Sequence, residues 1–154
     1  MIQRSVLLLL VCGLVAVGCE SQYQVRGMVF GATTVEESMV KVVREPERAP
    51  AGSVPLENAT VGLQVYRFPD DLATDLPPYE YYSDKEGEFR FELPETLLDV
   101  PTRLLIGAKT KYRIRCERMG YEVLTADVPL PLESKERLLV ILKRLPAAER
   151  PGTP

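Results

Sequence analysis

The sequence predicts an all-β protein: a single seven-stranded antiparallel β-sandwich. Seven short segments alternate apolar and polar residues or are apolar throughout, and turn-forming residues lie between them. Hydrophobic residues make up 45% and charged residues 27% of the 154 residues, which is an ordinary globular composition. A chain of this length accommodates one domain with short flanking segments.

The composition excludes several classes of function. The chain has no His, which rules out Ser-His-Asp and Cys-His catalysis and His-ligated zinc or haem. Its formal net charge is −3 at pH 7, whereas nucleic-acid binding usually requires a basic excess. We therefore expect a protein that does not bind nucleic acid. Since the sequence offers no convincing nucleophile–base pair, we also expect that it is not an enzyme and has no cofactor.

The first 18 residues have the features of a secretory signal peptide. Arg4 precedes the uncharged run Val6–Val17, which is shorter than the about 20 apolar residues that a membrane-spanning helix needs. A retained core helix is the alternative, but polar residues follow the run at once. We therefore assign residues 1–18 to a signal peptide.

The end of this run carries a more specific motif. Residues 16–19 (AVGC) resemble the lipobox of bacterial lipoproteins, in which a small residue precedes an invariant cysteine. The resemblance implies cleavage before Cys19, a diacylglycerol on its sulfur and a further acyl chain on the new N-terminus, with residues 19–22 as anchor and short linker. Glu20 in place of Asp favours the outer over the inner membrane of a bacterial cell envelope. Ordinary signal cleavage that leaves Cys19 free is the alternative.

Cysteine arithmetic follows from this assignment. Cys12 would be removed with the signal peptide and Cys19 would carry lipid, so Cys116 would be the one remaining thiol. We therefore expect no disulfide within the mature chain, and a fold that depends on its core.

Period-two hydrophobicity defines the strands. Phe89, Phe91 and Leu93 alternate with charged residues, as in a half-buried strand. The segment 33–53 is open between a short surface helix and an extra edge strand, because a capping-box sequence competes with several valines. The seven predicted strands are Tyr23–Val29, Ala59–Val65, Tyr79–Ser83, Phe89–Leu93, Thr110–Cys116, Tyr121–Val128 and Leu138–Leu142.

The turns and the chain ends complete the domain. Ser83–Gly87 separates two strand patterns, and we expect Gly87 to take a positive φ and Asp84 to bind the turn backbone. The proline-containing residues 146–154 predict a disordered tail. The domain prediction is therefore a β-sandwich over residues 23–145.

Four pieces of sequence occur in a recognisable succession. They are Gly27-Met28-Val29, Pro55–Val61 (PLENATV), Ser83–Phe89 (SDKEGEF) and Gly120-Tyr121. This succession resembles the carboxypeptidase regulatory-like, transthyretin-like β-sandwich domain and covers about residues 23–144, with an insertion around 32–56. The resemblance implies a non-catalytic module that serves as a binding or spacer unit, with no catalytic residue to transfer.

One strand pattern predicts a basic face. Four cations alternate with apolar residues and form a stripe that could meet an anionic glycan, a lipid or an acidic protein. The alternative is a solvated outer face whose cations pair with Glu88, Glu92 or Glu122. The four candidate binding residues are Lys109, Lys111, Arg113 and Arg115.

Two other patterns are better explained without chemistry. Ser38–Lys41 matches the S-x-x-K motif of penicillin-recognising enzymes, but its companion motifs fail. Acidic side chains could bind calcium, but their spacing is not that of an EF-hand loop, and we expect solvated turns and no metal site. These acidic residues are Asp70, Asp71, Asp75, Asp84, Glu86 and Glu88.

The combined prediction is a membrane-anchored envelope lipoprotein with a non-catalytic binding or scaffolding role. Its expected partners are the membrane, through the N-terminal lipid, and an envelope protein or glycan. The alternatives are a ligand-binding module for glycan or peptide, or a lipoprotein subunit of a secretion machine.

Overall fold

The computed structural model describes residues 22–45, 49–68, 72–73, 78–94 and 109–146, and this part of the chain is all-β without a helix. The all-β part of the predicted fold class is therefore confirmed. Residues 1–18, Cys19 and residues 147–154 of the predicted tail lie outside the described residues. The strands are β1 (Gln22–Ala32), β2 (Met39–Arg44), β3 (Val54–Pro55), β4 (Thr60–Phe68), β5 (Leu72–Ala73), β6 (Tyr79–Tyr82), β7 (Glu88–Pro94), β8 (Lys109–Glu117), β9 (Leu124–Val128) and β10 (Glu136–Lys143).

The strands form two sheets of five. In sheet A, β10 lies between β2 and β1, and the other edge of β1 pairs with β7 along its first part and with β3 near its end. In sheet B, β8 lies between β9 and β4, and the other edge of β4 pairs with β6 and β5. Along the chain, the strands change from one sheet to the other between β3 and β4, on both sides of β7, and between β9 and β10.

All seven predicted strands are present, but two details of the prediction need correction. The described residues contain ten strands, because the open segment 33–53 contains the edge strand β2, and β3 and β5 have two residues each, too few to show a periodic pattern. The sandwich is also not wholly antiparallel, since β1 and β10 run parallel. A parallel pair requires a crossover connection, and the chain between β1 and β10 forms the other eight strands.

The two sheets share one hydrophobic core. Phe89 and Phe91 of β7 pack edge to face, with ring centroids 5.7 Å apart, and belong to the same cluster as Val61 and Val65 of β4. The half-buried pattern predicted for Phe89 and Phe91 is therefore confirmed. Other members of the cluster are Val25, Val29, Leu138, Val140 and Leu142 from sheet A and Leu63, Tyr112, Ile114 and Cys116 from sheet B.

A second, smaller apolar cluster lies on the outer face of sheet A. Phe30, Leu139 and Ile141 are buried there, and Val35 and Ala49 pack against them. These two covering residues come from the segment predicted as an insertion. The cover explains why β10 is apolar on both faces, as expected for a strand buried on both sides.

The turn between β6 and β7 has the predicted geometry. The Asp84 carboxylate accepts hydrogen bonds from the backbone N–H of Glu86 at 3.0 Å and of Glu88 at 2.8 Å. Gly87 has a φ of 78°, a left-handed conformation that favours glycine. Ser83 is 2% exposed, and its hydroxyl donates to the Leu56 carbonyl at 2.5 Å. The turn is thereby tied to the start of β4.

Candidate functional site

The predicted basic stripe lies on β8, on the outer face of sheet B. Tyr112 and Ile114 point into the core, so the alternating residues Lys111, Arg113 and Arg115 face away from it. Lys109 is the first residue of β8, and its side chain lies outside the described residues. The stripe is therefore present at three of its four predicted positions.

Acidic neighbours compensate the charge of this stripe. The Nε of Arg113 lies 2.7 Å from Oδ1 of Asp127 on β9, and Arg115 lies 3.0 Å from Glu117. The hydrogen bond from Arg113, together with its charge and that of Lys111, lowers the pKa of Asp127 below its usual value. A face with these pairs attracts anions less than the sequence pattern indicates.

The partners of the stripe differ from the three expected from the sequence. Glu88 and Glu92 belong to β7, which lies in sheet A. Glu122 instead binds Ser38, whose backbone N–H and hydroxyl both donate to its carboxylate. The division of β7 and β8 between two sheets is a tertiary property, which alternation along one strand does not reveal.

A shallow groove runs along this face of sheet B, and we call it the sheet B groove. Gly62 forms its floor, and Thr60, Gln64, Tyr66, Glu80 and Thr125 are among the lining residues. The guanidinium of Arg113 lies 4.9 Å from the centroid of the Tyr66 ring, a cation–π distance that holds both groups in place. The lining thus combines hydrogen-bond donors and acceptors, paired charges and one aromatic ring.

An apolar surface lies at one end of the sandwich, and we call it the distal pole patch. It consists of Met119, Tyr121, Val123 and Leu145, with Arg118 beside them. Met119 is 80% and Val123 50% exposed. Met, Tyr and Arg are residue types that are enriched in protein interfaces.

Backbone contacts hold the distal pole patch in place. The N–H of Leu145 donates to the Gly120 carbonyl at 3.0 Å, and Tyr121 forms a bridge with Arg144. The Tyr121 ring also lies against Gly31 of β1, where a Cβ atom would collide with it. Most of the patch lies on the short loop between β8 and β9, and these contacts fix that loop to both sheets.

Sequence reasoning missed the distal pole patch and a second feature, a set of arginines on sheet A. Arg26 and Arg90 are direct cross-strand partners on β1 and β7. Together with Arg137 of β10 they line a groove on sheet A. Outward alternation of Arg26 and Arg90 was visible in the sequence. Their meeting depends on strand order and register, which one sequence does not specify.

The remaining sequence predictions concern lipid attachment, the Cys116 thiol, metal binding and membrane spans. Cys19, the predicted lipid-attachment residue, lies outside the described residues. Cys116 is a buried free thiol, and burial raises its pKa to about 12. Over the described ranges there is no cluster of three or more Cys, Asp or Glu side chains that could hold a metal ion, and no helix there is long and apolar enough to span a membrane.

No protein-family model matches the chain, and no curated protein matches it.

Proposed function

We propose that this protein is a lipid-anchored component of the bacterial cell envelope that binds a protein partner through a transthyretin-like β-sandwich, without catalysis. The lipobox-like residues 16–19 and the succession of turn and strand motifs support the anchor and the domain type. The two-sheet architecture is compatible with a transthyretin-like domain on a lipid anchor. The distal pole patch is the observation that carries the binding role.

The position of this patch suits a partner away from the membrane. β1 starts at Gln22, three residues after Cys19, and ends at Ala32, whose carbonyl accepts a hydrogen bond from Arg144 at 3.0 Å. A strand rises about 3.3 Å per residue, so the patch stands roughly 30 Å from the anchored end. An acyl anchor at Cys19 would therefore present Met119 and Val123 towards the compartment and not towards the lipid.

The rim of the patch indicates the chemistry of the partner. Arg118 is exposed and donates to the Asn58 carbonyl at 3.5 Å, and Arg144 is also exposed. Glu117 and Glu122 nearby are engaged by Arg115 and Ser38. The apolar centre is bordered by two exposed arginines for which the described part of the chain shows no ion pair, and this fits a partner segment that combines apolar and acidic side chains.

Site-specific crosslinking in living cells tests this proposal. A photoreactive residue at Met119 should give a discrete crosslinked product, and the same residue at exposed Glu86 on the β6–β7 turn should not. Val123→Glu, placed beside the probe, should abolish the product, because it buries a charge in an apolar contact. Identical products at both positions, or a product that survives Val123→Glu, would refute the role of the patch.

The anchor has its own test. Intact mass of the membrane-extracted protein should show a chain that begins at Cys19 with added lipid mass, and Cys19→Ser should release the protein from the membrane. An unmodified mature chain with a different first residue would contradict the lipoprotein assignment and leave the patch proposal standing on its own test.

A glycan-binding role is the second candidate, and the sheet B groove favours it. Because its charges are paired, the groove suits a neutral polyhydroxyl ligand. Tyr66 offers such a ligand an aromatic ring, and the Gln64 amide can both donate and accept hydrogen bonds. A Cβ at Gly62 would lie 3.8 Å from its nearest neighbour, so substitution there is tolerated. Gly62→Tyr should abolish retardation of the protein by a neutral soluble glucan in affinity electrophoresis, and Gly62→Ala should not. Equal mobility of all three proteins would exclude this candidate for that glycan.

A further inference from the structure

A polar groove crosses the outer face of sheet A, and we call it the arginine groove. It passes over β7, β1 and β10, and its lining includes Arg26, Arg90, Arg137, Glu45 and Glu88. It lies on the opposite sheet from the sheet B groove and near the end of β1 that begins at Gln22. It is therefore separate from both surfaces described above.

The strand register brings three guanidinium-bearing side chains together. Arg26 and Arg90 are direct cross-strand partners, and Arg137 precedes Leu138, which pairs with Gly27 in the parallel ladder. Like charges at directly opposite positions destabilise a sheet. The Arg26–Arg90 pair therefore places two positive charges side by side, and an anion between them would relieve their repulsion.

Arg26, in the middle of this row, has no carboxylate partner among the described residues. Its guanidinium donates to the neutral amide oxygen of Gln24 at 3.0 Å. Arg90 lies 3.6 Å from Glu92 at an exposed position, where such a pair contributes little. The central cation is therefore available to an incoming anion.

Most of the acidic groups along the groove have other roles. Glu45 lies 3.5 Å from Arg137, and Asp84 accepts two backbone hydrogen bonds of the β6–β7 turn. Glu88 is exposed on the strand that carries Arg90. These carboxylates balance the three arginines in number, but among the described residues none of them forms an ion pair with Arg26.

We infer that the arginine groove binds the phosphate group of a phosphomonoester, held by Arg26 and Arg90 with Arg137 beside them. A phosphomonoester has three strongly accepting terminal oxygens, which match several guanidinium donors better than the two oxygens of a carboxylate. Arginine forms paired hydrogen bonds with phosphate, and each such contact strengthens the next by restricting the anion. The phosphate group belongs either to a soluble ligand or to a lipid headgroup.

Titration with two defined probes tests this inference. Inorganic phosphate, added to the ¹⁵N-labelled protein at constant ionic strength, should shift the Nε–Hε signals of Arg26 and Arg90 in a saturable manner. Arg26→Gln and Arg90→Gln should each weaken binding about tenfold, the loss expected for one charge-assisted contact. Arg44→Gln is the matched control, because Arg44 pairs with Glu133, just before β10, and with Glu136 of β10, and it is not among the residues that line the groove.

Co-sedimentation with vesicles distinguishes the source of the phosphate. Vesicles that contain phosphatidic acid should retain the protein more than phosphatidylcholine vesicles if the ligand is a headgroup, and Arg26→Gln should remove the difference. Binding of inorganic phosphate alone, with the same dependence on Arg26 and Arg90, supports a soluble ligand. Absence of binding to both probes, or binding that Arg26→Gln and Arg44→Gln weaken equally, overturns the inference.

The substitutions should leave the fold intact. Removing one member of the Arg26–Arg90 pair relieves a repulsion, so the melting temperature of Arg26→Gln should be equal to or above that of the unsubstituted protein. The phosphate titration of the unsubstituted protein, followed by NMR, tests the inference even if a variant fails to fold.

Discussion

Ser38 and Glu122 join the two sheets at one end of the sandwich. The Ser38 backbone N–H and hydroxyl both donate to the same Glu122 carboxylate oxygen, each at 3.0 Å. The hydroxyl oxygen of Ser38 also accepts from the Lys143 N–H at 2.9 Å. The contact links the residue before β2 in sheet A to the connection between β8 and β9 in sheet B, across 84 residues of sequence.

This contact predicts a pH-dependent contribution to stability. The hydrogen bonds from Ser38, the backbone one first, lower the pKa of Glu122. A carboxylate whose pKa is lower in the folded state stabilises the protein above its unfolded-state pKa, and this contribution is lost as the pH falls through the folded-state value. Glu122→Gln should therefore reduce the melting temperature at about pH 7 and have little effect near pH 2.

Two further variants make the Glu122 experiment specific. Ser38→Ala removes the hydroxyl but keeps the backbone donor, so the Glu122 pKa measured by NMR should rise but stay below its usual value. Glu86→Gln, at an exposed turn position, is the control and should leave the melting temperature at about pH 7 nearly unchanged. A Glu122→Gln effect of the same size near pH 2 would contradict the assigned role.

The core predicts a large effect for Phe89. Its side chain is 3% exposed and packs on Phe91, so Phe89→Ala should cost about 3–5 kcal/mol of unfolding free energy. Thermal denaturation should show a decrease of about 10 °C or more. Tyr82→Ala, at a residue that is 62% exposed, should have little effect, and an unchanged melt for Phe89→Ala would show that the register of β7 is wrong.

A comparison of substitutions at Gly87 and Gly52 distinguishes the free-energy cost of backbone strain from that of a steric collision. Both have a φ of 78°, and an L-residue in this conformation costs about 1–2 kcal/mol. A Cβ at Gly87 would also collide with the Val29 carbonyl oxygen, whereas nothing lies within 4 Å at Gly52. Urea denaturation should therefore show a larger loss for Gly87→Ala than for Gly52→Ala. Equal losses would mean that the turn does not pack on β1 as described.

Cys116 should be unreactive in the folded protein. Burial raises the pKa of its thiol to about 12, and the thiolate is the reactive form. Iodoacetamide at about pH 8 should add one label to a Cys12→Ser/Cys19→Ser chain in denaturant and none within the same time under native conditions. Rapid native labelling, detected by mass, would show that β8 opens or is not packed in the core.

Local patterns in the sequence were sufficient for seven of the ten strands among the described residues and for the turn between β6 and β7. Alternation identifies strands because side chains point to opposite faces at successive residues. Asp84 and Gly87 were predictable because their roles depend on conformation within a few residues. The basic stripe on β8 was likewise visible as an alternation, and its outward orientation is present in the structure at Lys111, Arg113 and Arg115.

The partners of these residues were not predictable in the same way. Arg113 pairs with Asp127 because β9 lies beside β8, and Arg26 meets Arg90 because β7 lies beside β1. Alternation is compatible with many strand orders, and a shift of register by two residues preserves each face but changes every partner. The compensated charge of the stripe and the Arg26–Arg90 pair of the arginine groove both depend on this choice.

The sequence by itself therefore determined the all-β class, the positions of seven strands, the conformation of Gly87 and the lipobox-like end of the first segment, since each depends on neighbouring residues. Tertiary structure alone decided the parallel pairing of β1 with β10, the contact of Ser38 with Glu122 and the place of Met119 at the pole opposite Gln22. These features join residues that are distant in the chain. Their free energy comes from the packing of two sheets, and no short segment of sequence contains it.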